Sequence, residues 1–191
     1  MTHPTASPVE SRLTSPVRTA LTIIAGAALM TIAAKTQIPF WPVPMTLHTL
    51  AVMAFAIAFG PRIAVSIFLT YLAAGAAGLS VFSGSPERGI GLAYMVGPTG
   101  GYLAGYLAAS WLVGTLALGK GTFGRVSAML IGLVTVYALG AAWLAAYVPL
   151  DRLLSVGVVP FLLGDLMKIG LVAAGAATHP ATFTQLRGKR P

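Results

Sequence analysis

Charged residues divide this 191-residue chain into long uncharged stretches, and their spacing limits the folds that are possible. A helix that crosses a membrane needs about 20 consecutive, mainly apolar residues. Uncharged runs of 16 to 31 residues fall between the charged positions, at 19–34, 36–61, 63–86, 89–119 and 126–150. A sixth apolar stretch, 153–177, is interrupted only by Asp165 and Lys168. We therefore predict an all-α integral membrane protein with six transmembrane helices.

The scarcity of charge excludes the two other broad classes of protein. Only 8% of the residues are charged and 57% are hydrophobic. A soluble domain carries about 25% charged residues, which cover its surface. Disordered chains are poor in apolar residues, so disorder is excluded as well.

Proline and glycine mark where the predicted helices stop. We place the helices near 18–36, 45–60, 62–79, 98–118, 123–148 and 157–178. The prolines of segment 37–44 remove backbone donors, which predicts a re-entrant loop there. A second irregular stretch spans 80–97. The predicted organisation is an unstructured N-terminal tail (1–17), a six-helix membrane domain (18–178) and a basic C-terminal tail (179–191).

The basic residues predict the orientation in the membrane. With six spans, one side carries three of them, Lys35, Arg88 and Arg152, and Lys168 lies inside a span. The other side carries eight: Arg12, Arg18, Arg62, Lys120, Arg125, Arg187, Lys189 and Arg190. Cytoplasmic loops are enriched in Lys and Arg, so we predict that both termini are cytoplasmic. The net charge of +8 then reflects membrane insertion, and a nucleic-acid partner is not needed.

Asp165 and Lys168 are the strongest candidates for function. Both interrupt an apolar span, and their i,i+3 spacing puts them on one helical face. A charge at the centre of a membrane helix costs about 2.5–3.5 kcal/mol on insertion scales, so such residues usually serve a purpose. A site for a polar ligand or ion is one interpretation, and a mutually neutralising structural pair is the other.

Further candidates lie near the irregular segments. His48 and Thr46 follow the proline-rich loop, where a ligand contact and a packing role are both possible. The aromatic residues Trp41, Phe82 and Tyr94 belong to an interfacial belt or line an apolar ligand pocket. Arg88 lies with Phe82 and Tyr94 in the irregular stretch 80–97, and this long loop could act as a lid. Catalytic residues, a metal site and a cofactor are not predicted, because the chain has no Cys and only three scattered His.

Small residues recur at four-residue spacing on several helices. Such stripes let helix backbones approach closely in a membrane. Thr22 with Gly26 and Ala27 with Thr31 form one set in the first helix, and 97, 101, 105 and 109 form another in the fourth. Each stripe serves packing within the chain or docking of another membrane subunit. The sequence leaves both open, and we assign subunit docking to the set in the first helix.

Four segments together resemble one known family over residues 20–178. They are TQIPFWPVPMTLHTLAVMAFAIAFGPR, YLAAGAAGLSVF, GLAYMVGPTGGYLAGY and PFLLGDLMK, in this order. The chain resembles the BioY family, the biotin-binding S components of energy-coupling factor (ECF) transporters. Three positions depart from the family's pattern: His48 stands for a usual Gln, Ala74 for a frequent acid and Ser80 for Pro.

The resemblance implies a fold, a ligand and partners. It implies the six-helix S-component fold, with biotin bound near the outer face under the loops that precede the second and fourth long helices. Asp165 and Lys168 match the site residues of the last helix. The implied function is biotin uptake with a membrane coupling subunit and two ATPase subunits. An S component for another vitamin, and a small channel or transporter that acts alone, remain as alternatives.

Overall fold

A computed structural model describes residues 8–39 and 45–178, with side chains from residue 16 onwards. This part of the chain forms eight helices and two two-residue strands. The helices are α1 (Pro8–Lys35), α2 (His48–Phe59), α3 (Pro61–Ala76), α4 (Gly91–Met95), α5 (Gly100–Leu116), α6 (Thr122–Leu144), α7 (Leu150–Gly157) and α8 (Val159–Thr178). The strands are β1 (Gln37–Ile38) and β2 (Met45–Thr46).

The six long helices confirm the predicted six-helix fold, since α1, α2, α3, α5, α6 and α8 each overlap one predicted span. Within the described residues, stretches 16–35, 122–144 and 150–178 are long and apolar enough to cross a membrane. Helices α2 and α3 are shorter apolar helices. The short helices α4 and α7 lie in the connections before α5 and α8.

Helix α1 starts ten residues earlier than predicted, at Pro8. Segment 1–17 was predicted to be an unstructured tail, but its second half is helical. Proline fits the first turn of a helix because its missing N–H would have no partner there. Residues 1–7 and 179–191 lie outside the described part, so the rest of both predicted tails stays a prediction.

A short hairpin replaces the predicted start of the second helix. Strands β1 and β2 pair antiparallel, with Gln37 opposite Thr46 and Ile38 opposite Met45. The Leu47 backbone N–H then donates to the carbonyls of Ala33 (3.0 Å) and Thr36 (3.3 Å) at the end of α1. Backbone groups of residues 37–38 and 45–46 thus form hydrogen bonds within the hairpin instead of within a helix, and α2 begins only at His48. At 1.5 Å per residue this 12-residue helix is about 18 Å long.

The α5 stripe packs against α6, inside the chain. A Cβ at Gly105 would lie 2.8 Å from the Val136 Cα, and one at Gly101 would lie 2.2 Å from the Trp143 Cβ. Ala109 on the same stripe is fully buried. Small residues allow helix backbones to come this close, so positions 101, 105 and 109 of the stripe serve packing within the chain.

The helix ends and the connections between helices collect at two opposite ends of the molecule. One end holds the hairpin, α4 and α7. The last turns of α1, α3 and α6 and the first turns of α2, α5 and α8 lie at this same end. At the other end, Gly60 joins α2 to α3 with a φ of 76°, and residues 117–121 join α5 to α6. The Arg125 Nη1 donates to the Ala176 carbonyl there, at 3.3 Å.

We expect Gly105→Ala to destabilise the protein, although alanine is the better helix former by about 1 kcal/mol. The new methyl group would press on the α6 backbone, and overpacking costs about 1–3 kcal/mol. The matched control is Gly170→Ala on α8, where a Cβ meets nothing within 4 Å. Thermal unfolding in detergent should give a lower midpoint for Gly105→Ala and an unchanged or higher one for Gly170→Ala. Equal midpoints would contradict the close α5–α6 contact.

Candidate functional site

A cavity of about 410 Å³ opens at the end of the molecule that holds the hairpin and α4. Its volume falls within the range of about 300–1,000 Å³ that is usual for small-molecule sites. Helices α2, α5, α6 and α8 and the loops above them supply the walls. The lining residues are Gln37, Met45, Thr46, His48, Thr49, Ser83, Arg88, Tyr94, Pro98, Thr99, Tyr102, Leu103, Tyr106, Tyr137, Leu144, Val156, Gly157, Phe161, Asp165 and Lys168.

Asp165 and Lys168 form a buried ion pair on the cavity wall. The Lys168 Nζ lies 2.8 Å from the Asp165 Oδ1, and both residues are at most 5% exposed. The Tyr137 hydroxyl donates to the Asp165 Oδ2 at 2.7 Å. An ionised carboxylate has about four acceptor positions. Two protein donors therefore leave Asp165 able to accept hydrogen bonds from a ligand.

Gly164 on α8 lets the hairpin pack next to this pair, because glycine has no side chain. A Cβ at Gly164 would lie 2.2 Å from the Met45 Sδ, so Met45 of β2 packs directly against the glycine. Met45 is 4% exposed and also lines the cavity. Gly164 thus determines how closely the hairpin covers the ion pair of Asp165 and Lys168.

His48 lies in an aromatic cluster on the same wall. Its ring centroid is 4.5 Å from that of Tyr106, 5.3 Å from that of Tyr71 and 5.8 Å from that of Phe68. The His48 Nε2 is buried and has no hydrogen-bond partner among the described residues. A buried polar atom without a partner costs about 1–3 kcal/mol. His48 therefore has the predicted packing role; it also lines the cavity, and its contact with a ligand stays a prediction.

Three of the other predicted ligand residues, Thr46, Arg88 and Tyr94, line the cavity, and a fourth supports them. The Tyr94 hydroxyl donates to the Ser83 carbonyl at 2.7 Å. Burial raises the pKa of Tyr94, so the phenol stays protonated at neutral pH. Phe82 is not a lining residue: its ring is fully buried and stacks on Tyr94 with centroids 4.7 Å apart. Trp41 lies outside the described residues.

The four residues predicted to dock a subunit are only partly exposed. Gly26 and Ala27 are buried, and a Cβ at Gly26 would lie 2.5 Å from the Ile67 Cδ1 on α3. The hydroxyls of Thr22 and Thr31 donate to carbonyls one turn earlier in α1. Gly26 and Ala27 thus have the packing role that the sequence left open. The docking role of the set stays a prediction.

Sequence reasoning missed three tyrosines of the cavity. Tyr102 and Tyr106 lie four residues apart on α5, and Tyr137 lies on α6. The Tyr106 hydroxyl is 3.0 Å from the Thr49 Oγ1, and the Tyr102 hydroxyl donates to the Gly157 carbonyl at 2.8 Å. Hydroxyl groups at helical spacing inside apolar spans are the signal that could have identified them.

An apolar layer closes the cavity toward the other end. The four helices that supply its walls continue into one cluster of buried side chains, which includes Met53, Val113, Met129 and Ile169. All four are at most 3% exposed. Such tight packing leaves no room for a polar solute. Among the residues that the structure describes, the site opens at the end that holds the hairpin and is closed at the other.

Comparisons with known proteins agree with this architecture. A family model described as "BioY family" matches residues 5–185. The "Biotin transporter BioY" of Thermotoga maritima is 38% identical over 148 residues, which cover 76% of this chain and 86% of that protein. The "Probable biotin transporter BioY" of Pyrococcus horikoshii is 34% identical over 141 residues, covering 74% and 83%. A crystal structure of the S-component for biotin from an ECF-type ABC transporter matches with a TM-score of 0.73 and 25% identity, over 93% of this chain and 95% of that one.

We expect Lys168→Met to destabilise the protein, because it leaves the Asp165 carboxylate buried without its counter-ion. Breaking a buried pair in this way costs roughly 3–5 kcal/mol. The double variant Asp165→Leu/Lys168→Met removes both charges and should recover much of the loss. Thermal midpoints in detergent test this. A double variant less stable than Lys168→Met would contradict the assignment of a self-neutralising pair.

Proposed function

This chain belongs to the BioY family, and on that premise we propose that it takes up biotin across the cytoplasmic membrane as the biotin-binding S component of an ECF transporter. The observation that carries the proposal is the buried group of Asp165, Lys168 and Tyr137 inside a cavity of ligand size. The family is one of transporters, so we propose a transport role and no catalysis.

The inner part of the cavity has the chemistry that the biotin head group requires. That group is a cyclic urea with two N–H donors and one carbonyl acceptor, fused to an apolar thioether ring. The Asp165 carboxylate can accept the N–H donors, and the Lys168 ammonium and the Tyr137 hydroxyl are donors near the carbonyl. The aromatic rings of Tyr106 and Tyr94 offer surfaces for the apolar part.

The outer part of the cavity suits the biotin carboxylate. Lys168 is already neutralised by Asp165, at 2.8 Å. Arg88 lines the mouth, is exposed, and has no ion pair among the described residues. A guanidinium presents a planar fork of donors that matches a carboxylate. We therefore assign the biotin carboxylate to Arg88, so that the valerate chain points outward. In this orientation Thr46 and His48 lie beside the fused rings of biotin.

The direction of transport follows from the charge distribution. Lys35, Arg88 and Arg152 lie at the open end, while Arg18, Arg62, Lys120 and Arg125 lie at the closed end, where the remaining basic residues of both tails are also predicted. Enrichment of basic residues on the cytoplasmic side makes the open end extracellular and both termini cytoplasmic. The apolar layer below the site must open before biotin can leave inward.

Partner subunits would drive that opening. We propose a membrane coupling subunit that docks along the α1 stripe of Thr22, Gly26, Ala27 and Thr31, together with two ATPase subunits. Gly26 and Ala27 of this stripe are buried, and Gly26 packs on Ile67 of α3. A subunit that docks along α1 would therefore act on the contact between α1 and α3. This mode of release is favoured by the closed apolar layer, which offers no path for a channel.

Biotin titration of the purified protein tests the ligand. We expect tight binding by the wild type and a loss of about 10- to 100-fold in Asp165→Asn, because a charge-assisted bond contributes roughly 1.5–3 kcal/mol. Asp151→Asn is the matched control, since Asp151 is exposed on α7 and does not line the cavity. Wild-type affinity no better than millimolar would refute biotin as the ligand. Full affinity in Asp165→Asn would refute the role of the carboxylate.

The orientation of the ligand has its own test. We expect Arg88→Gln to weaken biotin by about tenfold, while a neutral biotin amide binds equally well to Arg88→Gln and to the wild type. The control is Arg152→Gln, an exposed arginine on α7 that does not line the cavity. If biotin and its amide lose affinity equally in Arg88→Gln, the carboxylate does not lie at Arg88.

A further inference from the structure

Residues 79–90, the segment between α3 and α4, form the outer wall of the cavity. Ser83 and Arg88 belong to this segment and line the cavity, and Tyr94 follows on α4. The segment contains turns but neither helix nor strand. The Leu79 amide donates to the Ala74 carbonyl of α3 at 3.2 Å. The rest of the segment depends on side-chain contacts for its position, because neither a helix nor a strand continues through it.

Aromatic packing fixes the inner side of the segment. The Phe82 ring lies edge-on to Tyr71, with centroids 5.4 Å apart and planes at 90°, and it stacks on Tyr94. The ring fills the space above Gly75, where a Cβ would come within 2.0 Å of it. These contacts anchor one residue of the segment below the cavity wall.

Lys35 holds the outer side from the last turn of α1. Its ammonium group donates to the Ser85 carbonyl at 2.9 Å and to the Ser80 hydroxyl at 3.2 Å. The two serine hydroxyls are 3.1 Å apart, and the Ser85 Oγ donates to the Phe82 carbonyl at 2.7 Å. One cation thus joins both ends of the turn and connects it to the anchored Phe82.

The cation itself does not touch the cavity. Lys35, Ser80 and Ser85 are not lining residues. Lys35 is exposed, whereas Ser85 is 5% exposed. A hydrogen bond from an ammonium group is roughly twice as strong as a neutral one, so the two Lys35 contacts tie the wall to α1.

We propose that Lys35 is a positioning residue that keeps segment 79–90 closed over the bound ligand. The inference rests on the proposed function, since it assigns Lys35 to the retention of biotin. Movement of the segment away from α1 breaks both Lys35 contacts and withdraws Ser83 and Arg88 from the cavity. Loss of the ammonium group therefore speeds ligand escape, although Lys35 makes no contact with the ligand.

The test is the dissociation rate of labelled biotin from the purified protein. We expect Lys35→Ala to release biotin roughly three- to tenfold faster, as the loss of one such tie allows, with the association rate changed less than twofold. Lys35→Arg keeps a charged donor and restores slow release. Ser80→Ala speeds release to a smaller extent, and the double variant Lys35→Ala/Ser80→Ala releases biotin no faster than Lys35→Ala. Lys120→Ala, an exposed lysine at the opposite end, is the control and keeps the wild-type rate.

A second readout needs no ligand. Hydrogen–deuterium exchange of the peptide that covers 79–90 should be faster in ligand-free Lys35→Ala, because the amides of Ser85 and Arg88 are bonded within this segment. Faster exchange in a protein that does not bind biotin would keep the positioning role and refute the proposed ligand. Wild-type exchange in Lys35→Ala, a wild-type release rate, or additive effects of Lys35→Ala and Ser80→Ala would overturn the proposal.

Discussion

The buried ion pair between Asp165 and Lys168 is the interaction around which the rest of the site is arranged. Each charge alone would cost about 2.5–3.5 kcal/mol at the centre of a membrane helix. The contact of 2.8 Å between the two side chains and the hydrogen bond from the Tyr137 hydroxyl offset that cost. A self-neutralised pair with spare acceptor positions can then exchange part of its hydrogen bonding with a polar head group, which an apolar wall could not do.

The molecule combines a closely packed base with an outer rim that side chains hold in place. Below the cavity, Gly105 allows α5 and α6 to touch along their backbones, and apolar side chains of four helices close the way through. At the mouth, the wall around Arg88 is fixed by the stacked Phe82 ring and by Lys35. The rim thus depends on a few side-chain contacts, whereas the base depends on continuous packing between helices. This difference fits the proposed function, in which the site binds its ligand from the open end and partner subunits open the base.

The sequence predicted the parts of the structure that depend on hydrophobic length and on charge. Six apolar stretches became six long helices, and the i,i+3 spacing of Asp165 and Lys168 became an ion pair. The hairpin of β1 and β2 was missed because two-residue strands carry no periodicity. The start of α1 was missed because polar residues suggest a tail even where the helix continues. The tyrosines were missed because a hydroxyl in an apolar span reveals its partner only once the helices are packed.

In the proposed complex, Asp165, Lys168 and Tyr137 bind the ring head of biotin while its carboxylate faces outward. A crystal structure of the purified protein with biotin bound tests this most directly. We expect the ureido nitrogens within hydrogen-bond distance of the Asp165 carboxylate and the biotin carboxylate at Arg88. Biotin found in the reverse orientation, with its carboxylate on Lys168 and its rings at the mouth, or bound outside the cavity, would refute this binding mode.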